Sequence, residues 1–203
     1  MVKIDIKKQM MDLYSPRGKN IQFLDVPEMN FIAIDGTGDP NKAPYFQAAE
    51  TLFSIAYTIK FMVRKETGTD YGVMPLESLW WADNLADFAT GKREGWKWTA
   101  LIMQPEHVTE KFFNSSVEKL KTGRNPPALA KARFQAFREG LCAQVMYRGP
   151  YSEEGPVITG IHDFIKQQGY KLRGNHHEIY LNDPNRTQPE NLKTILRQPV
   201  DSI

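Results

Sequence analysis

One order of structural signals occurs twice along the chain, and it constrains the fold more than any single motif. The first run is "NFIAIDGTGDPN" (30–41), a long helical segment, "GVMPLESLWWAD" (72–83) and "WKWTALIMQP" (96–105). The second is "LCAQVMYRGPYS" (141–152), a helical segment, "HHEIYLND" (176–183) and "NLKTILRQPV" (191–200). Both read strand, helix, strand, strand, and both finish in Gln-Pro, at Gln104-Pro105 and Gln198-Pro199. Identity between the halves is faint, so the order of elements carries the duplication. One such unit cannot bury its helix face and its sheet face well. Two units side by side share a core and leave a cleft near a pseudo-two-fold axis. Strands in runs, without regular βαβ alternation, favour α+β over a doubly wound sheet. The expected fold is therefore α+β: duplicated strand-helix-strand-strand units with pseudo-two-fold symmetry, an antiparallel sheet with helices packed on it, and a central ligand cleft. The expected organisation is a single domain over 1–203, with an N-terminal helix and linker (1–19), a first unit (20–105), a helical connection (106–132) and a second unit (133–203).

Local signals fill in this frame. "DIKKQMMDLYS" (5–15) suits one short helix, ended by Pro16 and Gly18. "NIQFLDVPEMNFIAIDGTGDPN" (20–41) suits two strands, with Pro27 near the join and a turn after Asp35. In 43–68, Tyr45, Ala49, Leu52, Ala56, Ile59 and Val63 recur at helical spacing before Gly68. Segments 70–83 and 95–105 read as strands joined by a polar connection, and 106–123 as a helix. Asn125-Pro126 predicts the start of a short helix. "RFQAFREGLCAQVMYRGP" (133–150) predicts a hairpin turning at Glu139-Gly140. In "YSEEGPVITGIHDFIKQQGY" (151–170), Ser152 suits a helix cap, Glu153 and Glu154 its positive end, and Gly169 its stop.

Several function classes are disfavoured. A formal net charge of +2 is too small to predict a nucleic-acid partner. No apolar run reaches the ~20 residues of a membrane span, and the N-terminus lacks an apolar signal core. The single cysteine, Cys142, has no partner for an internal disulfide, which suits a cytoplasmic protein.

Glu178 stands out in "HHEIYLND". In an alternating strand it shares a face with His176, Tyr180 and Asn182, while His177, Ile179 and Leu181 take the other, which suits core beneath a helix. Three readings are open for Glu178: a solvated charge on an open sheet face, a metal ligand beside the histidines, or the polar anchor of an apolar pocket. The metal reading is poor, because His107 and His162 fall on helical segments without ligand spacing. Trp80, Trp81, Trp96 and Trp98 crowd the first unit's later strands. Trp81 shares a face with Glu77 and Leu79, and Trp80 with Leu76 and Ser78. They suit core and rim packing; their density also suits stacking of a flat ligand, with Tyr71 and Tyr147 as further candidates. "DGTGDPNKAP" (35–44) lacks the spacing and the Lys-Ser/Thr pair of a phosphate loop and reads as a turn. Cys142 reads as a small buried hydrophobe.

Gly149-Pro150-Tyr151, Gly169-Tyr170 and "EIYLNDP" followed by "TILRQPV" resemble the GyrI-like small-molecule-binding family. "LESLWWAD" and "GWKWTALIMQP" resemble a stand-alone subgroup that includes hydrolases of cyclopropanoid DNA-alkylating compounds. The resemblance implies a duplicated fold and an aromatic-lined cleft with a buried Glu at position 178. On that basis the expected activity is ring opening of an electrophilic xenobiotic by Glu178-activated water, with Tyr180 or Tyr147 hydrogen-bonding the oxygen that gains charge. Trp80, Trp81, Trp98, Tyr71 and His176 are the expected substrate-binding residues. No cofactor, metal, nucleic acid or membrane is expected; the partner is a hydrophobic aromatic small molecule, and no oligomeric state is implied. The alternative is a non-catalytic protein that sequesters lipophilic cations, with Glu178 as counter-charge. A topoisomerase inhibitor or DNA mimic would want a strongly acidic face, which the charge balance does not support.

Overall fold

The computed structural model describes residues 2–16, 18, 20–83 and 93–203, so most of the polar connection at 84–94 lies outside the described residues. The chain divides into two compact units: Met1–Gln9 with Met29–Phe137, and Met10–Glu28 with Arg138–Ile203. The division is reciprocal. Strand β2 (Gln22–Thr37) gives its first part to the second unit and its remainder to the first. Strand β6 (Arg133–Arg148) does the converse.

In the first unit, helix α3 (Ala43–Thr67) carries the long amphipathic pattern. Pro44 sits in its first turn, where a missing N–H costs nothing, and Gly68 closes it at φ +70°. Its buried stripe is Tyr45, Ala48, Thr51, Leu52, Ile55, Ala56, Ile59 and Val63, with Ala48 rather than Ala49 facing inward. Strands β4 (Leu76–Ala82) and β5 (Trp96–Gln104) pair antiparallel, and β5 pairs antiparallel with β2. The short strands β1 (Val2–Ile4) and β3 (Thr69–Tyr71) form a separate parallel pair. Helix α4 (Glu110–Lys121) packs beside α3.

In the second unit, β8 (His176–Tyr180) and the distal part of β6 flank β9 (Lys193–Ser202), all antiparallel. Strand β7 (Tyr170–Leu172) pairs with the far end of β9. Helix α5 (Gly155–Gln167) lays Ile161 and Ile165 on Ala143, Val145, Leu196 and Val200. Residues Met10–Ser15 join this unit through the Asp12 and Leu13 carbonyls, which accept from Gln144 and Arg197. The α+β class and the antiparallel pairing thus stand as the order of elements implied. Among the described residues, no helix is long and apolar enough to cross a membrane.

Several local expectations are corrected. Residues 5–15 form two short helices, α1 (Ile6–Gln9) and α2 (Met11–Tyr14), rather than one. The two strands expected around Pro27 are one continuous β2. The segment 70–83 is two strands, β3 and β4, parted at Gly72–Pro75. The short helix expected from Asn125-Pro126 begins later, as a 3-10 turn over Leu129–Lys131, and Asn125 itself takes a left-handed φ of +41°. The hairpin at Glu139-Gly140 is instead a single strand, β6, in which Gly140 takes φ +70°. A left-handed glycine inside a strand is the mark of a bulge, which shifts the alternation of faces by one. Glu139 is thereby placed with Gln144 on one face. Ser152 does not cap the second helix; Tyr151–Glu153 form a 3-10 turn and Glu154 stands at the N-cap without a side-chain capping bond.

Candidate functional site

Register places the candidate residues. In the second unit Glu178 lies opposite Leu196, and Tyr180 opposite Thr194. On the other side of β9, Val145 lies opposite Leu196, and Tyr147 opposite Thr194. Cross-strand partners share a face, so Glu178, Tyr180, Thr194, Leu196, Val145 and Tyr147 share one. Leu196 and Val145 belong to the cluster under α5. Glu178 therefore faces the helix side of the sheet. This corrects the expectation that His177 and Ile179 form the core beneath a helix: they point to the opposite face.

Glu178 is largely shielded, with 15% of its side-chain surface exposed. The Tyr180 hydroxyl donates to its Oε2 at 2.7 Å, and His176 Nε2 lies 3.5 Å from its Oε1. The Tyr151 ring meets the Tyr180 ring edge-on at 5.4 Å. Burial, then the charges of Glu154, Glu178 and Asp183, push the Tyr151 hydroxyl up to about 12. His162 on α5 is held below its ordinary value by burial and by neighbouring His176.

The residue that sequence reasoning passed over is Glu154. It sits where a carboxylate ordinarily complements a helix N-terminus, yet its side chain turns inward and is 3% exposed. Its Oε1 is buried and has no hydrogen-bond partner among the described residues. Burial first, and then the charge of Glu178, raise its pKa from 4.5 to about 9, with the Thr194 side chain opposing. At neutral pH the site therefore holds a protonated carboxyl close to Glu178. The only sequence signal was the doubled acid in "EEGP" at 153–156, and nothing local says which of the two turns inward.

A pH dependence of stability follows. Between pH 4.5 and 9 the unfolded chain has lost the Glu154 proton while the folded protein keeps it. The folded state binds more protons there, so the contribution of Glu154 is complete below 4.5 and falls as pH rises, by at most about 1.4 kcal/mol per pH unit. Urea unfolding at pH 5, 7 and 8.5 measures this slope, and Glu154→Gln is expected to flatten it.

Tyr147 is anchored: its hydroxyl donates to the Pro150 carbonyl at 3.0 Å. A Cβ at Gly149 would clash with the Tyr147 hydroxyl, so the ring folds back only over a glycine.

The remaining expected ligand residues lie in the first unit. Trp80 and Trp98 are direct partners on β4 and β5. They pack on Tyr45 of α3, stacked at 5.5 Å and edge-on at 5.1 Å respectively. Tyr45 and Ser78 hydrogen-bond at 2.7 Å in the same layer. The Trp98 ring lies over Gly36, where a Cβ would meet it at 2.2 Å. Much of the tryptophan excess is thus helix-side core. Trp81 points to the opposite sheet face with Glu77 and Leu79, as expected, and is half-buried. Tyr71 is buried, meets His107 edge-on at 5.4 Å, and its hydroxyl is pushed up by desolvation and by Asp70.

A shallow groove of about 490 Å³ lies between α3 and α4, lined by Phe53, Tyr57, Phe61 and Leu120 and rimmed by the Glu50–Arg124 ion pair. None of the candidate residues lines it. Among the described residues, no three His, Cys, Asp or Glu side chains converge as a metal site would require. Cys142 is buried and its thiol is pushed up by burial, which suits the inert role read from sequence.

The family model of the GyrI-like small-molecule-binding domain matches residues 19–201. The fold is similar to that of an uncharacterized conserved protein from Listeria innocua, with 37% identity, a TM-score of 0.87, and coverage of 98% of this chain and 100% of that one. A hydrolase from Listeria innocua is similar at 36% identity and a TM-score of 0.84, with the same coverage. The EcmrR C-terminal domain, at 13% identity, shares the fold alone, with a TM-score of 0.57 over 92% of this chain and 100% of that one. No curated protein matches the chain.

Proposed function

The chain belongs to the GyrI-like small-molecule-binding family, and from that membership we propose that it takes up flat, hydrophobic electrophiles and hydrolyses them. The observation that carries the proposal is the shielded Glu178 carboxylate, which accepts the Tyr180 hydroxyl at 2.7 Å beside the edge-on rings of Tyr151 and Tyr180. The Listeria innocua hydrolase at 36% identity supports a hydrolytic reading. The substrate class follows the family resemblance: compounds whose strained cyclopropane is conjugated to a dienone. Glu178 removes a proton from water, the oxygen attacks the less hindered ring carbon, and the ring C–C bond breaks. Its electron pair flows into the carbonyl, which becomes a phenol oxygen. The strained ring needs only modest assistance, and a general base supplies roughly two to four powers of ten. Such a role gives the cell protection against alkylating compounds.

The test is incubation with a cyclopropyl-dienone compound, with product followed by mass spectrometry. A ring-opened product 18 mass units heavier (about the mass of one water added across the ring) is expected well above buffer. Binding without product favours a second reading, in which Glu178 serves as counter-charge for a lipophilic cation. Ligand charge separates the readings: a sequestering protein prefers cations, whereas the hydrolase takes a neutral electrophile.

A further inference from the structure

We propose that Glu154 is the proton donor of this reaction: its carboxylic acid hydrogen-bonds the substrate's conjugated carbonyl oxygen and delivers its proton there as the ring opens. The inference rests on the hydrolase reading and adds the group that receives the developing charge.

Three observations carry it. First is placement. Glu154 directly follows the 3-10 turn Tyr151–Glu153 before α5, and the Tyr151 ring of that turn meets the Tyr180 ring on β8 at 5.4 Å. Thr194 has Tyr147 and Tyr180 as cross-strand neighbours, and Glu178 is two residues from Tyr180 along β8. Glu154 and Glu178 therefore approach the same point from the helix and from the sheet. Second is its unused bonding capacity. The side chain is 3% exposed, does not cap its own helix, and keeps Oε1 without a partner among the described residues. A buried polar atom left so costs free energy unless a ligand group meets it. Third, the tyrosines expected from sequence to serve as donors hold their protons elsewhere. Tyr180 donates to Glu178 Oε2, and Tyr147 donates to the Pro150 carbonyl. Tyr151 is 38% exposed and meets Tyr180 by its ring.

The chemistry balances. Glu178 gains a proton from water, the C–O bond forms, and the ring C–C bond breaks. The electron pair reaches the carbonyl oxygen, and Glu154 supplies the proton that makes it a phenol. One water is consumed; the enzyme is left with Glu178 protonated and Glu154 ionised, and proton exchange with solvent resets both. A carboxylic acid kept neutral at pH 7 by burial beside a like charge is the form this step needs. Glu154 meets that need, ionising only at about pH 9.

The experiment measures single-turnover ring opening from pH 6 to 10 by wild type, Glu154→Gln, Glu178→Gln and Tyr151→Phe. Two cyclopropyl-dienones are used whose product phenols differ in acidity. Glu154→Gln is expected to slow the less acidic phenol about 10²–10⁴-fold and the more acidic one clearly less, because a better leaving oxygen needs less protonation. Glu178→Gln slows both alike. The wild-type rate falls above about pH 9, and that fall disappears in Glu154→Gln. A Glu154→Gln rate equal to wild type, or a Tyr151→Phe variant that alone reproduces the substrate-dependent loss, overturns the assignment. Should Glu154→Gln fail to fold by circular dichroism, the wild-type profile decides: a rate constant to pH 10 overturns the proposal and an alkaline fall supports it. Wild-type protein that makes no product overturns the hydrolase reading and this one together. Product formed equally by wild type and Glu154→Gln overturns only the proton donor.

Discussion

Glu178→Gln is expected to slow ring opening by about 10²–10⁴-fold, equivalent to roughly 3–5 kcal/mol of transition-state stabilisation, while leaving ligand affinity within a few-fold of wild type. The amide has nearly the same shape as the carboxylate. Its carbonyl can still accept the Tyr180 hydroxyl bond seen at 2.7 Å, so the aromatic edge keeps its position. What the amide cannot do is take a proton from water. The loss should therefore fall on kcat rather than on binding, the pattern of an interaction made only in the transition state. The same substitution has an independent readout. The charge of Glu178 is one of the two causes that raise Glu154, so removing it brings the Glu154 pKa down. The decline of stability with rising pH should then become shallower. Rate and affinity are measured by single-turnover kinetics and by calorimetry with a non-reactive analogue. A Glu178→Gln variant that hydrolyses at the wild-type rate rules out the base; one that loses affinity and rate together shows that the residue only shapes the pocket.

The outline of the fold was legible because the repeated order of elements depends on patterning along the whole chain. Its interruptions were not legible. Pro27 and Gly140 are strong local punctuation, and both read as breaks between strands; long-range pairing instead carries β2 and β6 straight through them. At Gly140 the cost is met by a bulge, which glycine alone accommodates readily at φ +70°. Glu178 and its strand companions were legible by alternation, but the side that carries the helix was not. Face assignment needs to know which strand face α5 covers, and that contact is made by Ile161 and Ile165 across the sheet. The tryptophans show the converse limit. Their number suggested a ligand surface, yet Trp98 fits against Gly36 and Tyr45, which lie far from it in sequence. Glu154 was visible as a helix-end carboxylate, and its inward turn is a tertiary fact.

The largest stability effect is expected from a cluster that no sequence motif announced. Glu139 is 2% exposed and both its oxygens lie 3.0 Å from His177 Nδ1. Arg197 donates to the same carboxylate at 3.1 Å, to Gln144 Oε1 at 3.1 Å and to the Leu13 carbonyl at 2.9 Å. Gln144 in turn donates to the Asp12 carbonyl at 2.6 Å. These contacts join residues 38 and 58 positions apart and fasten the α2 segment to the second unit. Burial alone would raise the Glu139 pKa, but the charges of His177 and Arg197 outweigh it and hold the group down at about 2. Glu139→Gln keeps the shape and removes the anion that faces the buried Arg197 guanidinium and the His177 ring. Breaking a buried pair in this way costs about 3–5 kcal/mol, or roughly 6–20 °C in Tm for a chain of this size. Because the folded pKa is depressed, the contribution of Glu139 is complete above about 4.5 and is lost as pH falls towards 2. Guanidinium unfolding at pH 7 and pH 3 should show wild type converging on the variant in acid. Replacing Glu139 and Arg197 together, as in Glu139→Leu with Arg197→Met, should cost less than Glu139→Gln alone, since the Arg197 guanidinium is then not left buried opposite an empty position. The α2 segment should also become a protease-sensitive site in Glu139→Gln and not in the wild type. Equal unfolding midpoints for wild type and Glu139→Gln at pH 7 would mean that the cluster is a neutral packing feature and that α2 is held by its apolar residues, Leu13 and Tyr14, instead.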